Sequence, residues 1–270
     1  MTVTFAHMGS LHIVLSALLE NLGLKVLVPP PITKRTLELG TANAPETACL
    51  PFKINLGTYI QALAAGADTI VTCGGCGPCR IGYYAENQKA VLRELGYTYD
   101  IIVIEPELGS VWKALRRLGV DCGARQMYHA FRLALSKLSV IDHIERRICW
   151  ARAREKTAGT ADLLQENSLA SLDAANDFGA IEAVLETFDR QLAGMELDSD
   201  RRPVRVGIIG EIFVALEPFV NQQLIKRLGV MGVEVHQPQL LGDYVKAHLL
   251  KNGKALSLGK ALRKLALPYI

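Results

Sequence analysis

Along the first hundred residues, short apolar runs rich in β-branched residues alternate with longer stretches in which apolar positions return at helical spacing. The short runs are VTFA (3–6), KVLVP (25–29), DTIVT (68–72) and YDIIVIEP (99–106), and their length and composition predict strands. The longer pattern predicts helices over LHIVLSALLENLG (11–23), within NLGTYIQALAAG (55–66) and within IGYYAENQKAVLRELG (81–96). Strands that alternate with helices build a parallel sheet through right-handed crossovers. Residues 1–109 are therefore expected to form an open, Rossmann-like α/β domain. Ligands of such sheets sit at the carboxyl ends of the strands, so chemistry is expected directly after Thr72.

Residues 110–200 show no convincing strand pattern and read as a helical middle. After DSDRRP (198–203), a plausible linker, the alternation restarts with strands VRVGIIG (204–210) and VEVHQP (233–238). Helices are expected over EPFVNQQLIKRLGVMG (217–232) and DYVKAHLLKNGKALSLGKALRKL (243–265). Two strands and two helices are too few for an independent doubly wound domain. Residues 201–270 are thus expected to be a partial, truncated second α/β domain that packs on the first domain or on another chain, or that belongs to a fragment. No repeat at solenoid spacing and no low-complexity segment is present.

Composition narrows the partners. Half of the 270 residues are apolar, enough to bury a core, and 30 basic residues against 27 acidic ones leave a charge of only +3. That balance offers no electrostatic basis for binding nucleic acid or an acidic membrane. The arginine-rich stretch from Lys113 to Lys156 and the acidic stretch from Asp162 to Asp200 are expected to pair with each other or face solvent, the other reading being a docking face. Six cysteines are too sparse for a disulfide framework, the start lacks a secretory pattern, and no apolar run approaches the roughly 20 residues of a membrane span. A reduced, cytoplasmic protein is expected.

The densest chemistry lies in TCGGCGPCR (72–80), where Cys73, Cys76 and Cys79 follow the spacing C-x2-C-x2-C, and a further thiol, Cys49, stands in ETACLPFK (46–53). Such spacing in a loop lets thiolates turn inward together around an iron–sulfur cluster. Glycines at 74, 75 and 77 free the backbone to twist and to aim amides at inorganic sulfide, and Pro78 stiffens the loop. Structural zinc would want a second paired knuckle, which the chain lacks. A redox thiol pair would leave the third cysteine idle. A plain glycine-rich turn would expose three thiols to oxidation. Composition therefore favours a cluster, with zinc, thiol redox chemistry and the plain turn still open. Cys122 and Cys149 sit in helical surroundings and read as core residues.

The segment from Thr36 to Tyr97, with its C-L-P-F-K block (49–53) and G-C-G-P-C-R-x-G-Y-Y block (75–84), resembles the acyl-CoA dehydratase activase-related family. That family is similar to the iron–sulfur D-component subunits of 2-hydroxyacyl-CoA dehydratases. FAHMGS (5–10) and VGIIGEIFVALEPFVN (206–221) look like it too. The resemblance implies two Rossmann-like domains with a helical portion and a cysteine-ligated [4Fe–4S] or larger cluster near the domain interface. It further implies an ATP-dependent activator as electron donor, whose low-potential electron serves to reduce a 2-hydroxyacyl thioester to a ketyl radical so that water leaves. Cys49, Cys76 and Cys79 take the ligand role by this resemblance, and Cys73 is a reserve ligand. Family members continue beyond the point where this sequence stops and carry another cysteine there. The cluster would accordingly be completed by Cys73, by a second subunit or a second copy of the chain, or not at all.

Other side chains fit around this picture. His7, just after the first strand, could deliver a proton, the alternative being a hydrogen-bonded structural role. Lys53 and Arg80 could hold an anionic ligand or tune a cluster, and a surface ion pair is the other reading. Tyr83 and Tyr84, at a predicted helix start, are expected to shield a cluster from water. Glu46 and Glu86 could add carboxylates, with no spacing that pairs them. GIIGE (207–211) lies between strand and helix but lacks G-x-G-x-x-G and G-K-[ST], so it is a weak phosphate cradle. The expected function is low-potential electron transfer by a dehydratase-like lyase or reductase component. The rivals are a non-catalytic iron–sulfur or zinc scaffold or cluster carrier, and a thiol oxidoreductase without iron.

Overall fold

The computed structural model describes residues 1–74, 79–105, 108–237, 240, 242–243 and 245. The chain divides into two compact units, Met1–Met8 with Leu18–Ala130, and Gly9–Ala17 with the chain from Phe131 onward. The protein is mixed α/β.

The first unit contains β1 (Thr2–Phe5), part of α1 (Leu11–Asn21), β2 (Lys25–Val26), α2 (Lys34–Asn43), α3 (Leu50–Ala64) and β3 (Thr69–Cys73). A 3₁₀ turn over Arg80–Tyr83 then leads into α4 (Tyr84–Glu94), β4 (Asp100–Ile104), α5 (Leu108–Arg117) and the start of α6 (Ala124–Arg152). The four strands form a parallel sheet in the order β2-β1-β3-β4. Val3, Phe5, Ile70, Val71, Ile101 and Ile102 are buried in it, as the apolar runs predict. The β2 strand is shorter than the expected 25–29. The consecutive prolines 29–31 lack amide donors, and the last ladder bond on this edge is Leu27 N–H to Val3 O at 2.8 Å.

The α2 helix, which the hydrophobic pattern does not reveal, packs on α3 with backbone touching backbone. A methyl on Gly40 would lie 1.7 Å from Lys53 O, and one on Gly57 would lie 1.9 Å from Thr36 O. Glycine is thus the residue that lets these helices approach so closely. Thr36 is fully buried at the same contact and donates its hydroxyl to Gln61 Oε1 at 2.7 Å. With α2 on one side and Ile70, Ile101 and α4 residues on the other, α3 buries Phe52, Ile54, Leu56, Tyr59, Ile60 and Leu63 around most of its circumference.

The second unit holds the rest of α6, α7 (Thr160–Ala174), α8 (Phe178–Ala193), β5 (Arg205–Gly207), α9 (Ile212–Leu216), α10 (Leu224–Val230) and β6 (Glu234–His236), with β5 and β6 paired in parallel. The helix expected over 217–232 is broken. Pro218 forces Glu217 into an extended conformation that ends α9, and Gln222 and Gln223 adopt left-handed φ of 56° and 55° before α10 starts. The basic and acidic stretches pair in part: Arg152 meets Asp162 at 2.7 Å and His143 meets Asp189 at 2.8 Å, whereas Arg154 and Arg146 reach Glu234 and Asp243. Most of the helix expected over 243–265 lies outside the described residues. Among the described residues no helix is long and apolar enough to cross a membrane.

Candidate functional site

The carboxyl edge of the sheet carries the first group of predicted residues. Cys73 is the last residue of β3, paired with Ile104 of β4. It presents surface to solvent, yet the surrounding protein mass pushes its thiol above the ordinary cysteine value by desolvation. Behind it the buried Tyr59 hydroxyl donates to Thr72 Oγ1 at 3.0 Å. Gly74 extends the ladder through its N–H to Ile104 O at 2.9 Å, and a methyl there would meet Val103 Cγ1 at 2.5 Å. Any larger residue at 74 would force Val103 or the backbone there to shift. His7 lies on the neighbouring strand line. The last β1–β3 pair is Phe5 with Val71, and His7 and Cys73 each stand two residues further along. The His7 ring is buried and its Nε2–H donates to Pro29 O at 2.9 Å, which fixes its orientation.

A second group assembles where α3 and α4 begin. Cys49 is the N-cap of α3, in extended backbone at φ −70° and ψ 160°, followed at once by Leu50 and Pro51. Cys79 occupies the equivalent cap of the 3₁₀ turn that leads into α4. Two contacts draw these caps together. The Arg80 guanidinium donates to Thr47 O at 3.3 Å, and the Tyr84 hydroxyl hydrogen-bonds Cys49 Sγ. Lys53 reaches back to Glu46 O at 3.3 Å, so both predicted cations fasten the loop that precedes Cys49. Cys49, Phe52, Arg80, Tyr83, Tyr84 and Asn87 line an open cavity of about 280 Å³ together with residues of that same loop. Phe52 and Tyr84 meet edge to face at 5.2 Å, and Tyr84 is buried while Tyr83 is 74% exposed. Shielding from water therefore falls to Tyr84.

Cys76, the remaining predicted ligand, lies outside the described residues. Among the described residues no three His, Cys, Asp or Glu side chains converge as a metal site, so a set of three must draw on a residue beyond them. The donor chemistry fits a cluster. Cys49, Cys73 and Cys79 are all free thiols, and two of them cap adjoining helical segments that are tied to each other. One turn beyond Tyr84, the fully buried Gln88 has neither amide atom hydrogen-bonded among the described residues. An unmet amide of this kind costs about 1–3 kcal/mol and is expected only where something else supplies a partner.

The pattern of residue types marked the cysteines but missed the sulfur contact of Tyr84, the clamp of Arg80 on Thr47 O, and Gln88. Only the recurrence of Tyr84 and Gln88 at helical i, i+4 spacing hinted that they share a buried face. Glu86 is exposed in the first turn of α4, away from the cavity-lining set. Cys122 packs against Leu22, Leu115 and Ala130, and Cys149 is buried in α6 with its thiol pushed up to about 11 by desolvation. In the GIIGE segment, Glu211 turns its own carboxylate onto the start of α9, accepting from Phe213 N and Val214 N at 3.1 and 3.0 Å. The position an anionic phosphate would take is filled by the protein. No protein-family model matches the chain, and no curated protein matches it.

Proposed function

We propose that the chain is an iron–sulfur protein of the dehydratase-activase-related kind, acting in low-potential electron transfer as a 2-hydroxyacyl-CoA dehydratase-like component. The observation that carries this reading is that the Cys49 cap and the segment directly after Cys79, through Arg80, Tyr83 and Tyr84, line one cavity and are tied together by Arg80 and Tyr84. A bound [4Fe–4S] or larger cluster supplies a one-electron store at low potential. Cys49, Cys76 and Cys79 provide thiolates, with Cys73 at the sheet edge as the reserve. Arg80 clamps the Cys49 loop through Thr47 O and brings a positive charge to the cavity that Cys49 lines. Phe52 and Tyr84 keep water from that side. Lys53 fixes the loop, and His7 holds the proton-carrying role at the strand edge.

The four-stranded parallel sheet, with a crossover helix before each added strand, supports a Rossmann-like first domain, and the β5–β6 pair supports a partial second domain of the same kind. The electron donor is proposed to be a separate ATP-dependent activator in the cytoplasm. A second subunit or second copy would complete the ligand set.

The test is iron, sulfide and zinc analysis of protein purified without air, for the parent and for Cys79→Ser. Iron and sulfide near stoichiometric in the parent and lost in the variant are expected, whereas zinc alone, or neither metal, contradicts the reading. A loaded protein that accepts an electron but dehydrates no 2-hydroxyacyl thioester would be a cluster carrier instead.

A further inference from the structure

We infer that Tyr84 raises the reduction potential of the site by donating its phenolic hydrogen to Cys49 Sγ. This deepens the reading above and rests on Cys49 being a cluster ligand. The contact is direct, and both partners are held from their own elements: Cys49 as the cap of α3, Tyr84 as the first residue of α4 directly after the 3₁₀ turn. The tyrosine ring is packed edge to face on Phe52, in the first turn of α3, and only 7% of the residue is exposed. The hydroxyl is therefore fixed by packing rather than by chance rotation about a free side chain.

The direction of the bond follows from chemistry. A ligating thiolate has no proton to give, and a phenol keeps its own near neutral pH, so the oxygen donates and the sulfur accepts. A donated hydrogen withdraws electron density from sulfur and stabilises the more negative, reduced form over the oxidised one. Phe52 and Tyr84 are both buried, so on the side they cover the bond is screened less than it would be in open water. The redox step itself is a plain one-electron exchange. The reductant loses one electron, the cluster gains it, and the tyrosine retains its proton. A ring that merely excluded water would do so equally well without the hydroxyl, and this separates the inference from a shielding role.

The experiment uses the full chain, reconstituted without air, as parent and as Tyr84→Phe, which keeps the ring on Phe52 and removes one oxygen. Iron and sulfide content, far-ultraviolet circular dichroism and an EPR-monitored dithionite titration are recorded for both. The expected result is equal iron, an unchanged fold and a midpoint potential shifted negative in the variant. Equal iron with an unchanged potential overturns the inference and leaves the cluster reading intact. Loss of iron from a folded variant also overturns it, since the hydroxyl would then serve assembly rather than tuning. A parent without iron overturns the cluster reading and the inference with it.

Discussion

Replacing Gly57 by alanine should weaken the first unit even though alanine is the better helix former. The gain from helix propensity is about 1 kcal/mol. Against it, the new methyl would sit 1.9 Å from Thr36 O, 2.9 Å from Thr36 C and 3.1 Å from Gly40 N. Ordinary contact begins near 3.4 Å, so α2 must retreat by roughly 1.5 Å, and the obstacle is main chain that cannot swing aside. Overpacking of this kind costs typically about 1–3 kcal/mol, and a rigid backbone obstacle belongs at the upper end. Retreat also stretches the 2.7 Å bond from buried Thr36 to Gln61, and a stranded hydroxyl adds about 1–3 kcal/mol. The net loss is about 2–5 kcal/mol after the propensity gain is subtracted. Urea denaturation followed by circular dichroism measures it. Gly40→Ala should behave alike, and the double variant should lose less than the sum, because one separation admits both methyls. Gly123→Ala, where a methyl meets nothing within 4 Å, is the neutral control. A Gly57→Ala protein as stable as the control would refute the close crossing and with it the placement of Cys49 at the start of α3.

Three further outcomes are expected. Burial, then the Asp142 carboxylate, pushes Glu145 from the ordinary 4.5 up to about 7, against the bond from Ser10 and the charge of Arg146. Between those two values the folded form binds more protons than the unfolded, so stability falls as pH rises, by at most about 3 kcal/mol at 1.36 kcal/mol per tenfold change in proton affinity; Glu145→Gln should flatten that part of a stability-versus-pH curve. Asp162 joins Arg152, which is only 5% exposed, to Lys226, so Asp162→Ala should cost about 3–5 kcal/mol by leaving the buried guanidinium without its carboxylate, read from thermal unfolding. Gly74→Ala should impair iron incorporation, because the new methyl collides with Val103 directly after Cys73, whereas Gly123→Ala should load normally, both read by colorimetric iron assay.

The strands of the first unit were legible because each is a short run rich in β-branched residues: Val3, Phe5, Ile70, Val71 and Ile102 declare the sheet without help from context. The α2 helix was not, because its contact surface is two glycines and a threonine rather than a leucine stripe. The start of α3 was hidden for the opposite reason, since a helix buried nearly all round shows no amphipathic rhythm. Past Pro218 the pattern of apolar positions suggested one helix where the chain turns through two left-handed glutamines, a conformation that spacing does not encode. At the site, thiols and glycines announced themselves by type. The roles of Lys53 and Arg80 as loop fasteners depend on main-chain carbonyls, which no residue pattern displays.

The central claim is that thiols from the Cys49 cap and from the loop ending at Cys79 surround one inorganic core. Dibromobimane, which fluoresces once it bridges two neighbouring thiols, tests this directly on metal-free and reconstituted protein, followed by tryptic mapping. Cleavage after Arg35, Lys53 and Arg80 places Cys49 in one peptide and Cys73, Cys76 and Cys79 in the next. A fluorescent adduct joining those two peptides in the metal-free protein, abolished by cluster reconstitution, is the predicted result. Adducts confined to the second peptide, or an inter-peptide adduct that persists after reconstitution, would contradict the account.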